Sequence, residues 1–211
     1  MKTGNARSDE VRAPRQLRSL QRVEQILAAA KDIIAIKGTT GLTIVEIAQM
    51  AGVTPGSMYQ YFPNKGAIVT ALGAQYLKEF GEKISEALST TPNSKADLLD
   101  LLGTLLMEYY KVHREDPVVR DILMGVAVDK SLQDLNEEDS KKTVELILRV
   151  AQPFYGEVPE KKLRIHIRLV IGFLETATRL AVKMPKQDGL AVMEMTRSAQ
   201  AMMWAALDHT N

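Results

Sequence analysis

The 211-residue chain is predicted to be all-α, with a three-helix helix-turn-helix domain first, a larger helical domain after it, and about nine helices in total. Three observations carry this expectation. Apolar residues recur with the 3.6-residue period of a helix, no segment alternates convincingly with period two, and Pro and polar runs interrupt the pattern at helix-length intervals. Composition agrees. At 45% hydrophobic and 25% charged the chain is ordinary globular material, and its ten Met, with Leu, Ile and Ala, suit a helical core.

Residues 1–17 are polar, hold Pro14 and several Arg, and read as a flexible basic arm. A helix follows from about Leu20 to Lys37, with Val23, Ile26, Leu27, Ala30, Ile33 and Ile34 on one face and Gly38 just past its end. Thr43 is a good N-cap for the helix Ile44–Met50, and Glu46 three residues on completes a capping box. A tight turn at Gly52-Val53 leads to a short helix from Thr54 or Pro55 to Phe62, with Pro55 in the first turn, where a missing N–H costs nothing. After Pro63-Asn64 a long helix runs from about Lys65 to Leu88, and the polar run Ser89–Ser94 is the next loop. Further helices are expected near 95–114, 116–129, 137–154, 159–183 and 188–208, with Pro117, Pro153, Pro159 and Pro185 at their boundaries.

The distribution of charge is more informative than its total. Net charge is only +1, yet residues 1–65 hold nine Lys/Arg against five Asp/Glu, while the remainder holds eighteen against twenty-one. A basic first third is the asymmetry expected if that part alone meets a polyanion. The absence of Cys excludes disulfides, Cys-ligated zinc and thiol catalysis, and suits a reducing cytoplasm. No apolar stretch has the length or purity of a signal or a membrane span, so a cytoplasmic protein without membrane contact is expected.

The window 43–65 carries the chemistry. Two closely crossed helices need a small residue inside the first, a residue tolerant of left-handed angles at the turn, and apolar pins on either side. Ala48 is the small residue, Gly52 the turn residue, and Ile47, Ala51, Val53 and Met58 the pins. The following stretch, Gly52-Val53-Thr54-Pro55-Gly56-Ser57-Met58-Tyr59-Gln60-Tyr61-Phe62-Pro63-Asn64-Lys65, sets hydroxyls and an amide on a short helix that ends in a lysine. Such groups bond phosphate oxygens or base edges.

Over residues 20–72 this pattern closely resembles the TetR (TetR/AcrR) family of transcriptional regulators. The shared signature is a Gly-Val-Thr/Ser turn, a small residue, an aliphatic, Tyr-x-His/Tyr-Phe, and Lys after two more positions. Gly66 departs from it, since the family usually has an acidic residue there. The resemblance implies an arm at 1–17, a DNA-binding domain at 18–72, and a regulatory and dimerisation domain at 73–211. It implies phosphate contacts from Thr43, Thr54, Tyr61 and Lys65, and groove-facing positions at Pro55, Gly56, Ser57, Tyr59 and Gln60, with Met58 and Phe62 turned inward. No charge lies between Glu46 and Lys65, so the reading helix has no arginine for guanine. Electrostatic affinity would come from Arg15, Arg18, Arg22, Lys65 and the arm.

The resemblance further implies a homodimer on a palindromic operator, built from the helices near 159–183 and 188–208. The run Ala199–Leu207 is apolar almost all round, which demands burial on more than one side. A small, hydrophobic or amphipathic effector that releases DNA is implied as well. Leu102, Leu106, Tyr109 and His113 share one helix face, as do Ile167, Ile171, Leu174 and Thr178. From these, Leu106, Tyr109, His113, Leu174 and Thr178 are the candidate effector contacts, although such stripes also serve as plain core. His166 and His209 lack a partner at ligand spacing, so neither a metal nor a cofactor is expected. The cluster Glu137-Glu138-Asp139 reads as a helix start whose charges complement the dipole. Two other functions compete: a constitutive DNA-binding protein without effector, and an all-helical enzyme. Without Cys, with three His, no phosphate-cradling Gly loop and no nucleophile elbow, the sequence speaks against the enzyme.

Overall fold

The computed structural model describes the backbone of residues 6–184 and 188–205, with side chains described for 17–184 and 189–203. The tail from residue 206, including His209, Pro185, and the side chain of Trp204 in the apolar run, lie outside this. Among the described residues there are nine α-helices and one 3₁₀ turn, without strand. They are α1 (Ala6–Lys37), α2 (Ile44–Met50), α3 (Pro55–Met58), α4 (Lys65–Ala87), α5 (Lys95–Glu115), α6 (Pro117–Gly125), α7 (Lys130–Ala151), α8 (Glu160–Ala181) and α9 (Asp188–Ala205). The chain divides into two compact units, Met1–Leu72 and Gly73–Asn211.

In the first unit α2 packs on both α1 and α3. The apolar face of α1 supplies the buried Ile26, Leu27, Ala30, Ile33 and Ile34, which meet Leu42, Ile47, Ala48, Met58, Phe62, Ile68 and Leu72 in the core. Burying one such aliphatic side chain contributes about 1.5–3 kcal/mol, so this cluster outweighs the weak intrinsic stability of the two short helices. The backbone departs from expectation at its start: residues 6–17, read as an arm, continue α1 as helix. Glu10, Arg12, Ala13, Arg15 and Gln16 are good helix formers, and extending a helix costs far less than nucleating one.

In the second unit α8 packs on α7 and α9, and α5 packs on α6, α8 and α9. Leu98, Leu106, Tyr110, Val144, Leu148, Leu163, Ile167, Val170, Val192 and Met203 belong to its shared core. Two polar ties join distant elements within it. Tyr155, in the 3₁₀ turn Gln152–Tyr155, donates to the Met203 carbonyl at 2.9 Å, and the His166 ring bonds the Met202 carbonyl. His166 therefore pins α8 to α9.

The sequence misplaced a second helix start. α7 begins at Lys130, with Asp129 as N-cap accepting from Leu132 N–H at 3.0 Å, and not near residue 137. Glu137-Glu138-Asp139 accordingly lies inside α7, and dipole compensation does not explain it. Glu137 and Glu138 pair instead with Lys141 and Lys142 one turn on, and Glu137 also takes Arg168 of α8. Asp139 has a different environment, described below.

Candidate nucleic-acid interface and ligand cavity

The turn between α2 and α3 is built by backbone bonding that demands glycine. Gly52 N–H donates to the Gln49 carbonyl at 3.3 Å and Val53 N–H to the Ala48 carbonyl at 2.9 Å, the paired bonds of a Schellman motif. Gly52 has φ +65°, a region L side chains rarely adopt. Ala48 is fully buried at the crossing, where a larger side chain would hold the helices apart. Both residues therefore do what their spacing predicted.

The helix after the turn is shorter than expected. α3 spans four residues, and Tyr59 to Phe62 continue as turns closed by Gln60 N–H to Ser57 O, Tyr61 N–H to Met58 O and Phe62 N–H to Met58 O. The first two are three-residue bonds, the tighter winding common at helix ends. Met58 and Phe62 are buried, as their inward assignment requires, and lock the segment to the core. The opposite side stays open: Tyr59 is 60% exposed, Gln60, Pro55 and Gly56 are exposed, and Tyr61 and Ser57 are half-buried.

Several hydroxyls assigned to phosphates are engaged locally. Thr54 accepts from Ser57 N–H at 3.2 Å, and its hydroxyl lies 2.9 Å from that of Ser57. Thr43 caps α2 by accepting from Glu46 N–H and donates to the Glu46 carboxylate at 2.9 Å. The same carboxylate also forms an ion pair with Lys37 of α1. The hydrogen bond from Lys37 is the main reason the Glu46 carboxyl is held below the usual carboxylate range. Lys65 Nζ donates to the Thr40 carbonyl at 3.2 Å, which steadies its ammonium beside the motif. Sequence reasoning missed Lys37, although the i, i+9 spacing across one short loop was available.

The second unit encloses a cavity of about 140 Å³. Its walls are largely apolar, with Phe80 from α4, Leu102 and Leu106 from α5, and Ile171 and Leu174 from α8. One side is polar: Asn136, Asp139, Ser140 and Thr143 of α7 face it with Glu175 of α8. Of the candidate effector contacts, Leu106, Tyr109 and Leu174 line this cavity. His113 lines a smaller neighbouring one with Tyr76. Its Nδ1 bonds the Tyr109 carbonyl at 2.7 Å, so that nitrogen carries the proton, and burial pushes the ring's pKa down to about 4. Thr178 lines neither cavity. It is fully buried with its hydroxyl unpartnered, one turn beyond Leu174 and past the end of the opening.

The polar side is what the sequence reading lacked. Asn136, Asp139, Ser140 and Thr143 sit at i, i+3, i+4 and i+7, a polar stripe with the same spacing as an apolar core face. That signal was visible, but the mistaken helix start hid it. The Glu175 carboxylate accepts from Ser140 Oγ at 2.9 Å and Asn136 Nδ2 at 3.3 Å, both on Oε1. The Asp139 carboxyl is pushed up to about 6, mainly by burial, with Lys142 pulling it down and Glu175 adding to the rise.

A capped, glycine-turned helix pair with an open neutral face defines a helix-turn-helix nucleic-acid-binding protein with an appended helical unit. Residues 26–72 match the family described as bacterial regulatory proteins of the tetR family, and residues 96–207 match the tetracyclin repressor-like C-terminal domain. The chain belongs to the TetR family.

It is 34% identical over 123 residues to the fatty acid metabolism regulator protein of Bacillus subtilis, covering 58% of this chain and 59% of that one. It is also 28% identical over 111 residues to the uncharacterized HTH-type regulator YvdT of the same organism, covering 52% of this chain and 55% of that one. The matches thus span little more than half the length of these curated relatives. The fold is shared with RolR, solved with resorcinol, at a TM-score of 0.66 and 16% identity over 89% of this chain and 95% of that one.

Proposed function

We propose that the chain is a cytoplasmic transcriptional repressor that binds a palindromic operator as a homodimer and leaves it when a small effector fills the cavity of the second unit. The reading head carries this proposal. Tyr59 and Gln60 stand exposed on a segment whose inner face, Met58 and Phe62, is locked in the core, so the exposed side is held at a fixed angle. Thr43, Thr54, Tyr61 and Lys65 are assigned to phosphates, and Pro55, Gly56, Ser57, Tyr59 and Gln60 to the groove. For Thr43 and Thr54 the phosphate must replace or share the local bond each hydroxyl already makes.

Homodimerisation is supported by apolar side chains left open on the two last helices. Ile165, Leu169 and Leu180 of α8 and Leu190 and Met193 of α9 are each more than half exposed. Side chains of this kind on two adjacent helices are an interface signature. A single short reading segment contacts too few base pairs to select one operator, whereas two-fold pairing doubles the site.

The cavity favours ligand control over constitutive binding, because close-packed interiors hold few voids larger than a water molecule and this one has room for a small ligand. Among the described residues no helix is long and apolar enough to cross a membrane, which fits a soluble regulator. Selection of bound DNA from a random pool tests the reading. Enrichment of a palindrome is expected, and a pool that stays random would overturn the assignment.

A further inference from the structure

Among the described residues no cation forms an ion pair with the cavity's acidic side, and this narrows the ligand. Asp139 takes part in no ion pair or hydrogen bond among the described residues, and Glu175 is bonded only by the neutral donors Ser140 and Asn136. Lys142 pairs with Glu138, and Lys141 and Arg168 with Glu137; Arg179 bonds the neutral Thr176 hydroxyl, and Lys142 acts on Asp139 only at longer range. Two carboxylates on facing helices, each only half-buried, thus border a largely apolar space. Holding them there costs free energy unless a partner supplies positive charge or donors.

Three ligand classes can be ranked on this basis. An anion, whether carboxylate, phosphate or coenzyme thioester, meets like charge at Asp139 and Glu175. A purely apolar body fills the walls but leaves both carboxylates without a paired cation. A protonated amine offers charge-assisted N–H bonds to either carboxylate, and these are about twice as strong as neutral ones. The rings of Phe80 and Tyr109, with centroids 5.2 Å apart, line the same cavity, and aromatic rings attract a cation within reach of their faces. Size narrows the choice further. A space of about 140 Å³ suits one ring or a short chain, since an apolar cavity of about 150 Å³ holds a benzene.

Resting on the reading of this cavity as the effector site, we propose that it takes a small hydrophobic amine in its protonated form. The ammonium is bonded by Asp139 and Glu175, and the apolar body lies against Phe80, Leu102, Leu106 and Leu174. Asp139 and Glu175 are the specificity-determining residues, and charge sets the selection.

The test uses the full chain, isothermal calorimetry at pH 7, and three probes sharing one ring: benzylamine, benzyl alcohol and benzoate. The amine is expected to bind at least tenfold tighter than the alcohol, and benzoate to show no binding. In Asp139→Asn and Glu175→Gln, which preserve shape, the amine-over-alcohol ratio should fall towards one while the alcohol's affinity holds. An alcohol or benzoate that binds as tightly as the amine overturns the proposal, as does a preference that survives both substitutions. Gly103→Leu, which adds bulk at a lining position where a Cβ meets Thr196 and Gln200 at ordinary contact distances of 3.6 and 3.7 Å, separates the two readings. If alcohol binding is lost in Gly103→Leu but wild type shows no amine preference, the cavity remains a ligand site and only the charge assignment fails. If Gly103→Leu changes nothing, or no probe binds wild type at millimolar concentration, both readings fail.

Discussion

The two units of this chain place their functional polarity in opposite ways. In the first, the reading head from Ile47 to Asn64 has no formal charge, lies on the surface, and is flanked by basic residues. In the second, charged groups are plentiful, several pair along or between helices, and the two carboxylates that matter line a cavity. On the proposed assignments the first arrangement separates affinity from selectivity, because phosphate attraction and base reading fall to different residues. The second joins them, because the same carboxylates attract a ligand and discriminate by its charge. Surface charge is screened and individually weak, whereas a cavity carboxylate acts in low dielectric, where each partner counts for more.

The comparison breaks most severely if the units do not act through a dimer. Leu169→Glu combined with Leu190→Glu should turn a dimer into a folded monomer and lower operator affinity on the order of a hundredfold, by loss of bivalency. Sedimentation and DNA titration read the two effects, and a dimer that persists would move the interface away from α8 and α9. Next in size is the turn. Gly52→Val forces a β-branched residue to φ +65° and should cost about 1–3 kcal/mol, with DNA binding falling more than thermal stability of the second unit. Unchanged chemical denaturation would show that the turn tolerates side chains.

Asp139 sharpens the contrast on the cavity side. Its carboxyl sits at about 6 against an ordinary value of 3.8, so between those pH values the folded chain keeps a proton that the unfolded chain has released. That contribution is present in full below 3.8 and is lost as pH rises through 6. Asp139→Asn stays neutral throughout, so it should exceed wild type by about 1–2 kcal/mol at pH 7, with the gap closing by pH 4. Urea midpoints at the two pH values check this. His113 works in the opposite direction, since its depressed pKa makes stability fall as pH drops from 6.5 towards 4, but it is common to both proteins and cancels in the difference.

The smallest effects test the separation within the reading head. Lys65→Ala should weaken operator and random DNA alike by several-fold and reduce the salt slope by about one charge. Gln60→Ala should leave random-DNA affinity unchanged and shift the selected sequence by about 1–3 kcal/mol at one position. If Lys65→Ala spared random DNA, its phosphate role would be wrong.

The sequence by itself determined the elements whose causes are local. Thr43, Ala48, Gly52, Thr54 and Pro55 act through bonds and contacts within a few residues, so their spacing was enough to locate the turn, its caps and the buried Met58 and Phe62. The same holds for the extent of α5 and for the apolar stripes that became core, while the structure adds Ser94 as the α5 cap. Tertiary structure alone decided the rest. Whether Leu106, Tyr109 and Leu174 line a cavity or fill a core depends on how closely α4, α5, α7, α8 and α9 approach, and a stripe on one helix contains no information on its neighbour's distance. His113 and Thr178 share those stripes yet fall outside the main cavity, because it ends within a turn of them. Asp139 and Glu175 are 36 positions apart in sequence and meet only because α7 and α8 pack together. The reading head was legible because its chemistry is written along the chain, and the charged cavity was not because its chemistry is written across it.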